Sequence, residues 1–394
     1  MFRNALIIGL GLMGASAAMA LKRKKLADNI SGYDIIEEAA EKALLSGLID
    51  KKTDNLPEEI MAADLLLVCS HLSSYPEIGR AIARFSRPGA LITDVGSVKA
   101  PALKLEGFLT LEQKKNFVSA HPVAGSENSG IAAAKVDLFE KKKVIITPLG
   151  NSGPRSVQTI SKLWQSIGGM PEIMKPEIHD AIYAGVSHVP QFLCWCFADF
   201  LGAIDKSIKN PDENFRLFTR LAASNPALWQ DIFIANNKNI SKVIADFYLN
   251  FSNIMREIKE GQRADLHERF TRAIYARKHL ADSKDDYKET PQGAANFNIT
   301  TMVPRIIAMA FLEVTGDMEY AGSGFLDFTR PIISVADENV EYLLAEKAVI
   351  SRLLQSFFDC MDNFYKILER NTRPDILVKI SESRGNYLGF VERD

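Results

Sequence analysis

A histidine set among polar groups is the first feature of this sequence that could carry chemistry. His121 belongs to the stretch Ser119–Gly130, which is dense in hydroxyl, carboxyl and amide groups and which we predict to be a loop. An imidazole titrates near neutral pH, so His121 suits the removal of a proton from a hydroxyl whose carbon loses hydride. The alternative is a structural histidine bonded to a backbone carbonyl, which is the usual role of an isolated histidine.

A serine in a second polar segment could assist such a base. Ser97 lies in the segment Asp94–Lys99, at the end of the predicted strand Leu91–Val95. In open α/β sheets ligands bind beyond the carboxyl ends of the strands, where a hydroxyl can donate to a substrate or to an imidazole. The alternative is that Ser97 only caps the helix that follows.

Glycines near the N-terminus form the spacing Gly9-x-Gly11-x-x-Gly14 between a predicted strand and a predicted helix. The first glycine permits a tight turn, the second lets a pyrophosphate approach the backbone, and the third lets helix and strand pack closely. Asp34 ends the second strand, where a carboxylate accepts hydrogen bonds from a ribose 2′-hydroxyl and repels a 2′-phosphate. The pattern therefore predicts NAD as the cofactor, bound at Gly9, Leu10, Gly11, Leu12, Met13, Gly14, Asp34 and Ser70.

A sheet must position these groups, because short apolar segments alternate with helical ones over the first part of the chain. We predict strands at Ala5–Ile8, Ile30–Asp34, Ala63–Ser70, Leu91–Val95 and Lys143–Thr147. The helices between them imply an α/β Rossmann domain with a doubly wound, mainly parallel sheet over residues 1–174. Beyond residue 174 apolar residues recur at helical spacing, which predicts an all-α remainder.

The helical remainder repeats itself at a spacing of 110 residues. The pattern Phe-x-x-Phe-Thr-Arg that ends at Arg220 recurs and ends at Arg330, and the match runs without a gap over residues 215–277. Chance likeness between two amphipathic regions accounts for apolar periodicity, but less readily for shared Phe-Thr-Arg and Arg-x-Asp positions. We therefore predict a helical domain duplicated in tandem, with copies at 175–285 and 286–394 and a polar, linker-like segment at Asp282–Asn296.

Composition narrows the class of protein. The 394 residues include 47 Lys or Arg and 49 Asp or Glu, so the net charge of −2 gives no electrostatic reason to expect nucleic acid or a membrane surface as partner. The uncharged N-terminal run is open to a signal-peptide interpretation, but its spaced glycines favour the βαβ unit. We predict a cytoplasmic protein with no membrane span and no metal site, whose four cysteines are reduced thiols.

The order of motifs along the chain resembles that of the prephenate and arogenate dehydrogenases, the cyclohexadienyl dehydrogenases of tyrosine biosynthesis. The resemblance covers about residues 1–280 and rests on the glycine loop, on the segments around Ser97 and His121, and on later motifs. Those later motifs are Leu138-Phe139-Glu140, Thr147-Pro148, Trp164, His179-Asp180, Ser187-His188-x-Pro190, Phe218-Thr219-Arg220 and Trp229. Single motifs are shared more widely, but this order is specific.

The resemblance implies the NAD-dependent oxidative decarboxylation of prephenate, a small molecule held between the Rossmann and helical domains. Hydride leaves ring carbon C4 for NAD, carbon dioxide leaves C1, and the ring becomes aromatic. His121 would accept the C4 hydroxyl proton, Ser97 would hold that hydroxyl, and Arg220 would pair with a substrate carboxylate. The alternative for Arg220 is a surface salt bridge. The remaining residues expected to line the site are Ser126, Glu127, Ser187 and Gln191.

The chain departs from the family pattern at two positions. Gln191 stands where the family often has a histidine, which weakens the case for the keto acid prephenate and leaves room for the amino acid arogenate. Leu217 stands where the family often has an aspartate, whereas the second copy has Asp327 at that position. Because the family dimerises through its helical domain, we expect a homodimer or an intrachain pseudo-dimer, in which Asp327 or Arg330 could join Arg220.

Two further classes of protein stay open. A β-hydroxyacid dehydrogenase shares the plan of a Rossmann domain followed by helices, but it typically uses a lysine on the helical domain, whereas His121 lies in the first domain. A non-catalytic nucleotide-binding scaffold is suggested by the duplication and by the departures from the family pattern at Gln191 and Leu217. The leading prediction is a prephenate dehydrogenase, and arogenate or broad cyclohexadienyl dehydrogenase activity is the closest alternative.

Overall fold

The computed structural model describes residues 1–125, 130–204, 213–280, 297–316, 318–332 and 335–391. The chain divides into two compact units, Met1–Asp180 and Ala181–Asp394. The division falls a few residues after the boundary predicted at residue 174. The second unit takes in both predicted helical domains, and its subdivision into 175–285 and 286–394 stays a prediction. The predicted linker Asp282–Asn296 lies outside the described residues.

The first unit is built on an eight-stranded sheet in the order β3-β2-β1-β4-β5-β6-β7-β8. Neighbouring strands are parallel except β6 and β7, which are antiparallel, so the predicted mainly parallel Rossmann sheet is confirmed. The strands are β1 Phe2–Ile8, β2 Ala27–Tyr33, β3 Lys51–Lys52, β4 Leu65–Val68, β5 Leu91–Asp94, β6 Phe117–Pro122, β7 Lys143–Thr147 and β8 Met170–Ile173. The helices are α1 Leu12–Arg23, α2 Glu37–Leu45, α3 Leu56–Ala62, α4 Tyr75–Phe85, α5 Ala100–Glu106, α6 Leu111–Asn116, α7 Pro154–Ser166 and α8 Pro176–Tyr183.

Strand β6 corrects the prediction of a loop over Ser119–Gly130. His121 is the penultimate residue of this strand, and the connection to the next element begins only at Val123. The backbone of β6 bonds to β5 on one side and to β7 on the other, which fixes it as a strand although Ser119 and His121 interrupt its apolar residues. The sequence also gave no signal for β3, which has two residues, or for β8, whose side chains are largely exposed.

The carboxyl ends of five adjacent parallel strands meet at one edge of the sheet. Along the order β2-β1-β4-β5-β6, the first four strands lead into Asp34, the glycine loop Gly9–Gly14, Ser70 and Ser97, and β6 has His121 as its penultimate residue. Neighbouring strands in a sheet lie about 4.8 Å apart, so the topology sets these groups in a row. This edge is where open α/β sheets bind their ligands.

The glycines of the loop differ in what they permit. Gly9 has φ +100°, and a Cβ there would lie 2.7 Å from the backbone of Cys69 at the end of β4. A Cβ on Gly14 would lie 1.9 Å from the carbonyl oxygen of Gly9, so only glycine allows α1 to start so close to β1. A Cβ on Gly11 would meet no atom within 4 Å. Gly9 and Gly14 therefore serve the turn, and Gly11 leaves space in front of the helix.

All the regular secondary structure in the described part of the second unit is helical. Turns of π-helix at Ala184–His188 and Asn298–Met302 precede α9 and α14. The helices are α9 Val189–Ala203, α10 Glu213–Thr219, α11 Pro226–Ala235, α12 Asn237–Glu260, α13 Arg263–Leu280, α14 Val303–Val314, α15 Ser323–Phe328, α16 Ala336–Ala345, α17 Lys347–Arg370 and α18 Arg373–Val391. Helices α11, α12 and α13 begin 110 residues before α16, α17 and α18.

Helices α12 and α17, each of 24 residues, bury one stripe of apolar side chains, as the 3.6-residue period of a helix requires. On α12 the buried stripe is Ile240, Ile244, Phe247, Phe251, Ile254 and Ile258, and on α17 it is Ile350, Leu354, Phe357, Met361, Phe364 and Leu368. The two stripes occupy matching helix positions. None of the helices in the described ranges is long and apolar enough to cross a membrane.

We predict that Gly14→Ala lowers the midpoint of thermal unfolding, because the new methyl group would overlap the Gly9 carbonyl at a cost on the order of 1–3 kcal/mol. Gly11→Ala is the matched control and is expected to leave the midpoint unchanged while weakening NAD binding, measured by titration calorimetry. A Gly14→Ala protein as stable as the wild type would contradict the packing described here.

Candidate functional site

A chain of three polar side chains ends at His121 within the first unit. Nδ1 of His121 lies 2.8 Å from Nε2 of His179, and Nδ1 of His179 lies 2.8 Å from Oδ1 of Asp180. The two imidazole rings meet edge to face, with centroids 5.0 Å apart. His179 is fully buried, whereas His121 is half-buried, so the chain leads from the interior towards the surface of the unit.

The carboxylate of Asp180 is held by backbone donors. The amide of Lys99 donates to Oδ1 at 2.8 Å, and the amide of Ala100 donates to Oδ2 at 3.1 Å. Hydrogen bonds of this kind stabilise the ionised form of a carboxylate. Asp180 is therefore a fixed negative charge at the start of α5 and beside the His179 ring.

This arrangement determines which nitrogen of His121 is basic. A carboxylate only accepts, so Nδ1 of neutral His179 carries the proton and its Nε2 is the acceptor. Nδ1 of His121 must then donate to that Nε2, which leaves the lone pair of His121 on its own Nε2. We assign these tautomers from the hydrogen-bond chain. The assignment gives His121 a basic nitrogen on the side of the ring that faces away from His179.

A buried lysine joins the Ser97 loop to the His121 strand. Nζ of Lys99 donates to Oγ of Ser119 at 3.0 Å and to the carbonyl oxygen of Ala120 at 2.8 Å, and lies 3.7 Å from Oδ2 of Asp94. Burial lowers the pKa of Lys99, while the negative charge of Asp94 opposes that shift. Asp94 thus compensates a cation whose hydrogen bonds tie α5 to β6.

Ser97 itself lies half-buried in the connection between β5 and α5. The residue that caps α5 is Lys99, without a side-chain cap, so helix capping is not the role of Ser97. Asp94 closes the turn by accepting from the Gly96 amide at 2.9 Å and from the Tyr75 hydroxyl at 3.0 Å. Burial, followed by the Asp94 charge, raises the pKa of Tyr75 well above its ordinary value, so Tyr75 stays a hydrogen-bond donor.

The glycine loop is suited to a dinucleotide. Helix α1 has no side-chain cap at its N-terminus, so its first amides and its dipole can serve an anion at the space that Gly11 leaves open. Asp34 accepts from the amides of Leu10 at 2.7 Å and Ile36 at 2.9 Å, which fixes its carboxylate beside the loop. Leu10 is buried, and the hydroxyl of Ser70 accepts a hydrogen bond from Ser74 at 3.0 Å.

In the second unit, Arg220 pairs with a carboxylate from a distant part of the chain. Nε of Arg220 donates to Oδ2 of Asp327 at 2.6 Å, and the guanidinium retains partial exposure. Arg330 instead donates from Nε to the side chain of Asn214 at 2.9 Å. A cavity of about 260 Å³ borders Arg220, and residues of α10 and α18, including Leu217 and Tyr387, line it.

Gln191 is buried and holds the turn that follows Arg220. Its Nε2 donates to the carbonyl oxygen of Leu221 at 2.6 Å, and its Oε1 accepts from the Ser224 hydroxyl at 3.3 Å. Ser187 lies half-buried in the π-helical turn beside His188. The other two predicted lining residues, Ser126 and Glu127, lie outside the described residues.

The most important side chains that sequence reasoning left without a role are His179, Asp180 and Lys99. The sequence held one signal for them. The His179-Asp180 and Asp94–Lys99 motifs place ionisable residues next to apolar segments, which is typical of buried polar groups. A search of the described ranges finds no cluster of His, Cys, Asp or Glu able to hold a metal ion.

Comparisons with known proteins give one consistent family. The family model described as prephenate dehydrogenase, nucleotide-binding domain, matches residues 17–172, and the model described as prephenate dehydrogenase, dimerization domain, matches residues 175–272. The cyclohexadienyl dehydrogenase of Zymomonas mobilis is 32% identical over 72% of this chain and 98% of its own length. The prephenate dehydrogenase of Bacillus subtilis is 30% identical over 68% of this chain and 73% of its own length.

A solved structure shares the architecture. The prephenate dehydrogenase of Aquifex aeolicus, in complex with hydroxyphenyl propionate and NAD⁺, superposes with a TM-score of 0.66 and 32% identity over 71% of this chain and 99% of its own. Both family-model matches end before residue 273, so the predicted second copy lies beyond them.

We predict that ¹⁵N NMR of histidine-labelled protein at neutral pH shows both His121 and His179 protonated at Nδ1. Asp180→Asn should remove the Nδ1 preference of His179 and, through it, that of His121. His267, on α13 of the second unit, is the internal control and should be unaffected. An Nε2-protonated His121 in the wild type would contradict the assigned hydrogen-bond chain.

Proposed function

Because this chain belongs to the prephenate dehydrogenase family, we propose that it catalyses the NAD-dependent oxidative decarboxylation of prephenate to 4-hydroxyphenylpyruvate, with His121 as the base. The observation that carries the proposal is the chain from Asp180 through His179 to His121, at the sheet edge that also holds the glycine loop. The product is an aromatic keto acid of tyrosine biosynthesis, and we place the enzyme in the cytoplasm.

The reaction needs one proton to be held and then returned. Bound NAD would supply the acceptor for the hydride that leaves C4, and the C4 hydroxyl loses its proton as the C–O bond gains double-bond character. Loss of carbon dioxide from C1 then leaves the bonding electrons in the ring, which becomes aromatic, and the resulting phenolate recovers the proton. Nε2 of His121 is suited to hold that proton meanwhile, because Asp180 stabilises the imidazolium through His179.

Other residues are proposed to bind rather than react. Ser97 holds the C4 hydroxyl, and Arg220 binds a substrate carboxylate through a guanidinium that Asp327 orients. Ser126, Glu127 and Ser187 line the site. Gln191 acts by fixing the turn that carries Arg220, since both ends of its amide are engaged there.

The proposal of NAD rather than NADP rests on Asp34, the residue that follows β2. We propose that Asp34, which the amides of Leu10 and Ile36 hold beside the glycine loop, accepts hydrogen bonds from the ribose 2′-hydroxyl and repels the 2′-phosphate of NADP. Gly9, Gly11 and Gly14, together with the backbone of Leu10, Leu12 and Met13 and with Ser70, are proposed to hold the rest of NAD.

Arogenate is the second candidate substrate. The observation that favours it is the absence at Gln191 of the histidine that the family often has, since the Gln191 amide is engaged with Leu221 and Ser224 and so provides no group that selects for a keto acid over an amino acid. Comparison of kcat/KM for prephenate and arogenate at saturating NAD decides between the two. A higher kcat/KM with arogenate would reassign the substrate and leave the chemistry at C4 unchanged.

We predict that His121→Asn lowers kcat by about 10²- to 10⁴-fold, the usual contribution of a general base, with little change in the dissociation constant of NAD. NADH absorbance with prephenate reports kcat, and calorimetry reports NAD binding. His267→Asn is the matched control and should retain wild-type kcat. Near-normal turnover by His121→Asn would exclude His121 as the base.

A further inference from the structure

The described helices of the second unit form two series that contact each other as the two subunits of a symmetric dimer do. We infer that residues 181–280, here called copy A, and residues 297–391, here called copy B, form a pseudo-dimer within one chain. Copy B takes the place that a second subunit's dimerization domain would take, and it supplies Asp327 to orient Arg220 of copy A. The role of Asp327 in binding substrate rests on the proposed function, whereas the pseudo-dimer does not.

Two aromatic pairs join residues at the same position of corresponding helices. Phe218 is the sixth residue of α10 and Phe328 the sixth of α15, and their rings stack with centroids 4.8 Å apart. Tyr248 and Phe358 are the twelfth residues of α12 and α17, and their rings lie 4.4 Å apart. A residue touches its own equivalent only near a two-fold axis, so these pairs mark the axis.

Ion pairs away from the axis occur twice with the roles of the copies exchanged. Arg263, the first residue of α13, binds Glu341, the sixth of α16, at 3.0 Å. Arg373, the first residue of α18, binds Asp231, the sixth of α11, at 2.5 Å. If residue i of one half binds residue j of the other, two-fold symmetry requires the reciprocal pair.

A second set of ion pairs repeats this exchange in partly buried surroundings. Lys379, the seventh residue of α18, binds Asp199, the eleventh of α9, at 2.7 Å. Its counterpart is Arg269, the seventh residue of α13, which binds Glu313, the eleventh of α14. Chance likeness of amphipathic helices does not produce opposite charges at reciprocal positions twice over.

The copies also exchange packing partners. Helix α9 of copy A packs on α17 and α18 of copy B, and α14 of copy B packs on α12 and α13 of copy A. Likewise α11 packs on α18, and α16 packs on α13. The fully buried apolar face of α9 is thus covered by helices of copy B, and copy A alone would expose it. Copy B therefore completes the core of copy A.

Only copy A retains the polar groups of a substrate site. The counterparts of His188, Gln191 and Trp229 are Met302, Arg305 and Asn339. Arg305 is buried and donates to the Pro331 carbonyl at 3.1 Å and to the Asn339 side chain at 2.8 Å. Gln191 makes the equivalent bond to Leu221 in copy A. A buried guanidinium that is hydrogen-bonded to two groups of copy B makes this position structural, which leaves one substrate site per chain.

Asp327 is the group that copy B contributes to that site. At the corresponding position copy A has Leu217, which cannot orient a guanidinium, and the Arg220 side chain instead binds Asp327 across the axis. Arg330 reaches back to Asn214 of copy A in the reciprocal direction. A carboxylate that holds Nε and one terminal nitrogen fixes the plane of the guanidinium, and so Asp327 is a positioning residue for Arg220.

Cross-linking tests the pseudo-dimer in the full-length chain. In a Cys360→Ser background, Tyr248→Cys combined with Phe358→Cys should react with a short bis-maleimide to give an intrachain bridge, seen as one added linker on a 43.7 kDa chain. Each single cysteine variant is the control and should not form the bridge. A covalent product of twice the mass would show that the contact lies between chains, and no bridge beyond the controls would show that the pair is not adjacent; either result overturns the pseudo-dimer.

A charge exchange tests the same contact without a cross-linker. Asp199→Lys and Lys379→Asp should each lower the thermal midpoint, and the double variant should recover much of the loss in one chain. Mixing or co-expressing the two single variants should not restore it, because the partners must be on the same chain. Restoration by mixing would contradict an intrachain interface.

Asp327→Asn tests the contribution to the site. We expect KM for prephenate to rise so that kcat/KM falls about 10- to 100-fold, with unchanged NAD affinity, and Asp327→Glu to recover part of it. Asp337→Asn, also in copy B, is the matched control. A wild-type KM in Asp327→Asn would refute the positioning role. An inactive wild type would refute the proposed function instead, and the cross-linking result would stand apart from both.

Discussion

The carboxylate of Asp180 is the group on which the arrangement of the His121 edge of the first unit depends. It accepts two backbone amides at the start of α5 and the Nδ1 proton of His179, so it joins the Ser97 loop, helix α8 and the His121 ring. Without that charge, nothing described here would select the tautomer in which His121 presents a basic Nε2. Removing one partner of such a buried, hydrogen-bonded charge typically costs about 3–5 kcal/mol, so structure and tautomer depend on the same group.

A second set of buried charges lies at the end of β5, and its role differs from that of Asp180. Lys99 and Asp94 are both fully buried, and the opposite charge of each offsets the free-energy cost of burying the other. Because burial lowers the pKa of Lys99, its hydrogen bonds to β6 rely on the Asp94 anion. Two internal ions of opposite sign and Asp180 therefore hold this edge in addition to its buried apolar side chains.

The sequence was most informative where geometry leaves few alternatives. The spacing of Gly9, Gly11 and Gly14 follows from a turn that tolerates no Cβ at two of those positions, and it predicted the nucleotide edge. Strand β6 escaped prediction because Ser119 and His121 interrupt it and Pro122 ends it, so it lacks the continuous apolar run of strands such as β4. The link between His121 and His179 joins residues 58 apart in sequence, and local pattern carries no information about such a contact. Residues Ser126 and Glu127 stay predictions.

The matching helices of copies A and B have a consequence for the stability of their interface at low protein concentration. An interface between separate subunits weakens with dilution, because association is bimolecular. In a chain that contains both halves, association is intramolecular, so the partner is present whatever the concentration of enzyme. In a symmetric homodimer one surface must complement itself. Two halves on one chain do not have to meet this requirement. Arg269 and Lys379, or Gln191 and Arg305, could therefore diverge independently, and one half could become scaffold while the other kept the chemistry.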